Sequence, residues 1–187
     1  MTTPIPLIVP GLRDHVPQHW QTWLTGRLPH AHSLTPMGRE NLSLDARIAD
    51  LEATIARLTT PVLLVAHSGG CVLVAHWALQ TALAHRVCGA LLATPPTFDR
   101  PLPPAYPQLA ALDAAGWLPV PRRRLPFPSL VAASRNDVLG EFEAVCQLAR
   151  DWGSAIEDLG EVGHLNPASG FGPWPLAETL LRRWAAR

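Results

Sequence analysis

The sequence predicts an α/β protein, a three-layer sandwich in which a mostly parallel sheet of about six strands carries helices on both faces. Two observations predict it. Short apolar runs of strand length alternate with longer segments of helical periodicity, and that alternation builds a parallel sheet covered on both sides. The length of 187 residues fits a single domain, 1–187, whose one core can bury most of its apolar surface.

Taken in order, IPLIV (5–9) reads as a buried strand, followed by a loop and a helix over about 17–26 with Pro17 in its first turn. HAHSLTP (30–36) is a weaker strand. The segment 43–58 is the clearest helix, because Leu44, Ile48, Leu51, Ile55 and Leu58 recur at helical spacing behind Ser43 as N-cap. PVLLVA (61–66) is a strand and 69–83 a helix; VCGALLA (87–93), PSLVAAS (128–134) and AIEDL (155–159) complete the strands. Helices at about 138–152 and 174–186 fill the remainder.

Residues 95–128 hold ten of the twenty prolines. They predict a stiff, irregular excursion after a strand end, over part of the mouth that forms at the strands' carboxyl ends, with Phe98, Tyr106, Trp117 and Phe127 to bury. Trp117, and Trp174 further on, are candidates to line a pocket.

Composition narrows the function classes. The formal net charge is zero, which leaves no electrostatic case for nucleic acid or an anionic membrane. No stretch approaches membrane-spanning length. Cys71, Cys88 and Cys146 form neither a CxxC pair nor a zinc-like spacing, and read as free thiols in a reducing, cytoplasmic setting.

The informative stretch is PVLLVAHSGGCVLVAHWALQ (61–80), where a strand stops at a serine between small residues and becomes a helix at once. A serine on so tight a turn projects its hydroxyl above the sheet, and strand and helix can approach only if the residues two away are small. The general pattern is Gly-x-Ser-x-Gly; here Ala66-His67-Ser68-Gly69-Gly70 has alanine first. Helix capping is the plainer role for Ser68. Chain order favours the nucleophile, since in this arrangement an acid and then a histidine follow the serine. Of eight histidines, only His164 lies downstream of the later strands, in LGEVGHLNP. Asp137 directly follows the strand 128–134 at an expected helix start, so it is the acid preferred over Asp99, which falls in the proline-rich excursion. Backbone N–H groups of Gly69, at the helix N-terminus, and of Leu12, after Pro10-Gly11, are the candidate oxyanion donors.

Together these residues resemble an α/β-hydrolase of the retinoblastoma-binding-protein-nine and YdeN type, a family of small serine hydrolases. Four stretches carry the resemblance: VPGLRDHVPQHWQTW (9–23), VAHSGG (65–70), SRNDV (134–138) and GHLNPASGFGPWP (163–175). It implies a compact core without an inserted cap domain and a Ser68–Asp137–His164 triad. The expected activity is hydrolysis of small acyl esters with no metal or organic cofactor and no identified protein partner. A binding scaffold that kept the fold with little turnover is an alternative reading. So is an amidase or thioesterase, which the same triad would serve.

Overall fold

The computed structural model describes residues 3–12, 16–28, 30–35, 37–38 and 40–185. Residues 36 and 186, at the ends of an expected strand and an expected helix, lie outside the described residues, as do 13–15 in the first loop. The elements are β1 (Ile5–Val9), α1 (Trp20–Arg27), β2 (His32–Ser33), α2 (Leu44–Arg57), β3 (Val62–His67), α3 (Gly69–Ala78), β4 (Val87–Ala93), α4 (Leu109–Ala114), β5 (Ser129–Ala133), α5 (Phe142–Trp152), β6 (Ala155–Asp158) and α6 (Pro175–Ala185). The six strands form one sheet in the order β2-β1-β3-β4-β5-β6, and every pairing is parallel.

Strand alternation divides the core into two layers. Leu7, Val9, Leu64, Ala66 and Leu92 face one side, where α2, α3, α4 and α5 supply Leu51, Ile55, Val74, Trp77, Leu112, Leu148 and Trp152. Ile8, Leu63, Val65, Leu91 and Ala132 face the other, covered by α1 and α6 through Trp20, Leu24, Ala177, Leu180 and Leu181. The helices after β1 and β3 therefore lie on opposite faces, although β1 and β3 are neighbours. That reversal opens a crevice beyond the carboxyl ends of the two strands, the position at which open parallel sheets bind ligands. Gln21, buried on α1, spans it: its Nε2 donates to the Val9 carbonyl at 3.1 Å and to the Val65 carbonyl at 3.0 Å.

Close backbone approach fixes the same place. A Cβ on Gly70 would lie 2.5 Å from the Val9 carbonyl oxygen and 2.7 Å from that of Pro10, so the helix start can press on β1 only without a side chain. The alanine in place of the elbow's first glycine is harmless by comparison. Ala66 lies fully buried in the sheet, level with Val9 on one side and Leu92 on the other.

Several boundaries differ from the sequence expectation, each for a polar reason. Helix α1 begins at Trp20, not Pro17, because the His19 ring caps it, Nδ1 accepting from the Gln21 N–H at 3.2 Å. Helix α3 stops at Ala78, five residues early. Thr81 there turns the chain, its Oγ1 donating to Glu52 at 2.7 Å and accepting from the Leu83 N–H at 2.9 Å. Helix α5 starts at Phe142 behind Glu141 as N-cap, so Asp137 sits in the preceding loop and not at a helix start.

The glycines make a paired prediction. Gly70→Ala is expected to destabilise the protein by roughly 2–3 kcal/mol through overpacking against backbone. Gly26→Ala, in α1 with no atom within 4 Å of the new Cβ, is expected to stabilise it by about 0.5–1 kcal/mol. Urea unfolding midpoints of the two variants check both signs.

Candidate active site

Ser68 occupies the junction of β3 and α3 with φ 55° and ψ −130°, a left-handed conformation that a serine adopts only under constraint. Its N–H is tied to the Ala93 carbonyl of β4 at 3.0 Å, and its carbonyl accepts from the Cys71 N–H at 2.9 Å. The side chain makes no capping bond to α3 and points elsewhere. Its Oγ lies 2.8 Å from His164 Nε2, and His164 Nδ1 lies 2.8 Å from Asp137 Oδ2.

These distances assign the protons. A carboxylate only accepts, so His164 carries its hydrogen on Nδ1 and leaves Nε2 bare to accept from the Ser68 hydroxyl. The Asp137 and His164 side chains are 2% and 3% exposed, which keeps the pair out of competition with water. Asp137 is oriented by its second oxygen, which accepts from the Leu139 N–H at 2.9 Å. Asp99, the competing acid, is engaged with Thr97 Oγ1 at 2.7 Å and Arg100 at 3.5 Å.

The loop after β1 reaches the same point. A Cβ on Gly11 would stand 3.1 Å from Ser68 Cβ and 3.5 Å from its Oγ, and the Leu12 side chain lies over Gly69. Residues 11, 12, 68 and 69 thus share one corner of the crevice.

A family model for serine hydrolases matches residues 6–183. The chain belongs to the serine hydrolase family.

Among solved structures, this serine hydrolase is similar to a protein of Pectobacterium atrosepticum described as a YdeN-like hydrolase. They share 29% identity and a TM-score of 0.78, covering 98% of this chain and 90% of that one. The ydeN gene product of B. subtilis is 22% identical with a TM-score of 0.76, over 99% and 100% of the two chains. A monoacylglycerol lipase of Paleococcus ferrophilus shares the fold at 14% identity and a TM-score of 0.67, over 98% and 96%. No curated protein matches the chain. Parallel sheet, helices on both faces and neighbours together make the fold an α/β-hydrolase fold.

A cavity of about 210 Å³ opens onto Ser68 and His164. The proline-rich excursion does form part of its wall, through Pro96, Phe98, Leu102, Tyr106 and Pro107, while Leu12, Val16 and Leu139 line it elsewhere. The two expected pocket tryptophans are not among the lining residues. Trp117 is buried in the core, where its indole N–H donates to the Leu42 carbonyl at 2.7 Å. Trp174 packs edge-on against Trp20 with ring centroids 4.9 Å apart. Both rings pack instead in the core, Trp117 in the layer under α2–α5 and Trp174 in the layer under α1 and α6.

Residues that sequence reasoning passed over hold the His164 loop in place. Asn136 Oδ1 accepts from the Gly163 N–H at 2.6 Å and from Ser134 Oγ at 3.0 Å. Ser169 Oγ accepts from the His164 N–H at 3.0 Å. The signal was present in SRND and NPAS, since short polar side chains after a strand end are built to bond nearby backbone. His19 and His67 line the cavity too, their rings 4.6 Å apart, and His67 lies 5.0 Å from the His164 ring. Among the described residues no cluster could hold a metal ion. Nor is any helix long and apolar enough to cross a membrane.

Burial pushes the His67 imidazole well below its ordinary value, and the His164 and His19 rings push the same way. Burial also lowers that of half-buried His76. An unfolded histidine takes up its proton near about pH 6.5 while these folded ones resist it, so their contribution to stability is complete above that pH and declines below it. The thermal midpoint is therefore expected to fall between about pH 7 and pH 5.5, with a smaller fall in His67→Gln. Scanning calorimetry at the two pH values measures the difference.

Proposed function

We propose that this serine hydrolase cleaves carboxylic esters of short to medium acyl chain through an acyl-enzyme on Ser68. The observation that carries the reading is the unbroken relay from Ser68 Oγ through His164 to Asp137, with both links at 2.8 Å, built on a strained serine. In the first step His164 Nε2 takes the hydroxyl proton as Ser68 Oγ adds to the ester carbonyl. Asp137 holds the Nδ1–H tautomer and stabilises the imidazolium that forms. The N–H groups of Leu12 and Gly69 receive the developing oxyanion, each worth about 3 kcal/mol in such sites. The imidazolium returns its proton to the departing alcohol, and water activated by His164 then releases the acid.

The ester preference rests on the cavity. A group of benzene's size fills roughly 150 Å³ of apolar cavity. By that measure, the 210 Å³ here takes an acyl group of about six to eight carbons. Each buried methylene contributes about 0.8 kcal/mol, so four of them are worth about 3 kcal/mol, or more than a hundredfold in kcat/KM, until the space is full. Against a scaffold without turnover stands the buried carboxylate–imidazole pair, whose desolvation opposes folding and serves no binding surface.

Three measurements test the reading. A fluorophosphonate probe is expected to label the native protein and not Ser68→Ala. Asp137→Asn is expected to lower kcat by about 10³–10⁴, because the amide no longer fixes the imidazole tautomer. Across p-nitrophenyl esters, kcat/KM should climb from acetate to about the six- to eight-carbon acyl chains and then level or drop; a decline from acetate onward would contradict the acyl-pocket assignment.

A further inference from the structure

We propose that His67 is a positioning residue: its Nε2–H, donated to the His164 carbonyl at 2.9 Å, holds the catalytic imidazole at its working distance from Ser68. This rests on the acyl-enzyme reading above and adds to it a residue that reaches neither the nucleophile's oxygen nor the carboxylate.

Its own loop ties His164 at the N–H, through Ser169, while the carbonyl is met from outside that loop by His67. Gly163 and Leu165, on either side of the histidine, both have positive φ, 56° and 47°, and a leucine stays there only when its surroundings impose it. No helix or strand contains His164. Side chains bind both of its backbone polar groups instead: Ser169 takes the N–H, and His67 supplies the carbonyl with its best donor. Thr94 Oγ1, which also points at that oxygen, stands at the 3.5 Å limit. Asn136 and Ser169 belong to loops of the same rim. His67 is different, because it is the last residue of β3 and the immediate neighbour of Ser68. One rigid strand end thus carries the nucleophile on its backbone and reaches the base through a side chain, which ties the two ends of the Oγ–Nε2 distance to one element.

The ring is suited to the task in two respects. It is 5% exposed, packed between His19 and His164 and edge-on to Trp20 at 5.9 Å, contacts that restrain its orientation. A carbonyl only accepts, so the neutral ring must carry its hydrogen on Nε2, the tautomer opposite to that of His164. Burial keeps it neutral, and it therefore donates a hydrogen bond without placing a positive charge beside the imidazolium of the reaction.

Two measurements test the proposal. His67→Met keeps the volume and removes the donor. On p-nitrophenyl butyrate its kcat is expected to fall between about ten- and a hundredfold, the loss that a displacement of about 1 Å produces, with KM within about twofold. His67→Gln, whose amide N–H reaches toward the same carbonyl, is expected to recover most of that loss. Native kcat in His67→Met, or equal losses in both variants matched by equal losses of thermal midpoint, would overturn the proposal. The second measurement needs no folded variant at this site. Ring-nitrogen NMR shifts of the native protein should report one neutral histidine of Nε2–H type at position 67 at about pH 7, and an Nδ1–H or doubly protonated ring there would overturn it equally. Ser68→Ala keeps this signature while losing turnover. Hydrolysis that survives in Ser68→Ala would therefore sink the nucleophile reading without touching the tautomer result.

Discussion

Everything at the active site depends on how closely β1, β3 and the start of α3 approach one another. The sheet reverses its direction of growth between β1 and β3, so the chain leaves these neighbouring strands toward opposite faces and a crevice opens between them. Gly70 lets α3 press against the Val9 and Pro10 carbonyls, and Gly11 lets the returning loop touch Ser68. Gln21 closes the gap below by satisfying one carbonyl from each strand. A backbone pinned from three sides can keep a serine at φ 55°, where an unconstrained chain would relax.

The second requirement is order among polar groups that cannot reach water. Asp137 and His164 are almost fully buried, and an unpartnered charge there would be costly to keep. The structure answers with a complete set of partners. One carboxylate oxygen takes the imidazole and the other a backbone N–H, while the loop that carries the imidazole is held at both its N–H and its carbonyl. The same side-chain type does three jobs within a few ångströms. His19 caps a helix with Nδ1, His67 donates from Nε2, and His164 donates from Nδ1 and accepts at Nε2. Environment, not residue identity, separates these roles.

The proline-rich excursion connects fold to chemistry in a different way. Its prolines keep the segment from forming long regular elements, and its aromatic residues anchor it. Phe98, Trp117 and Phe127 are buried, and only the short helix α4 interrupts the irregular path. A stiff segment anchored at intervals can wall a cavity without a separate domain, which explains how a chain of this size presents an apolar pocket at all.

Much of this was legible in the sequence because it follows from local physics. Sequence pattern located all six strands and the five longest helices, since apolar spacing reports which face a segment buries. The strand–serine–helix junction marked Ser68, and chain order singled out His164 and Asp137, which the fold brings into hydrogen-bonding sequence. Tertiary structure alone decided the rest. Whether Trp117 and Trp174 face a pocket or the core depends on partners far along the chain, Leu42 and Trp20. Where α1 and α5 begin and α3 ends was settled by His19, Glu141 and Thr81, whose side-chain bonds compete with helical propensity. The ties from His67, Asn136 and Ser169 join segments up to 97 residues apart. Periodicity carries a segment's own burial pattern, but it holds no record of which distant carbonyl a buried donor will meet, and that meeting is what sets the geometry of this site.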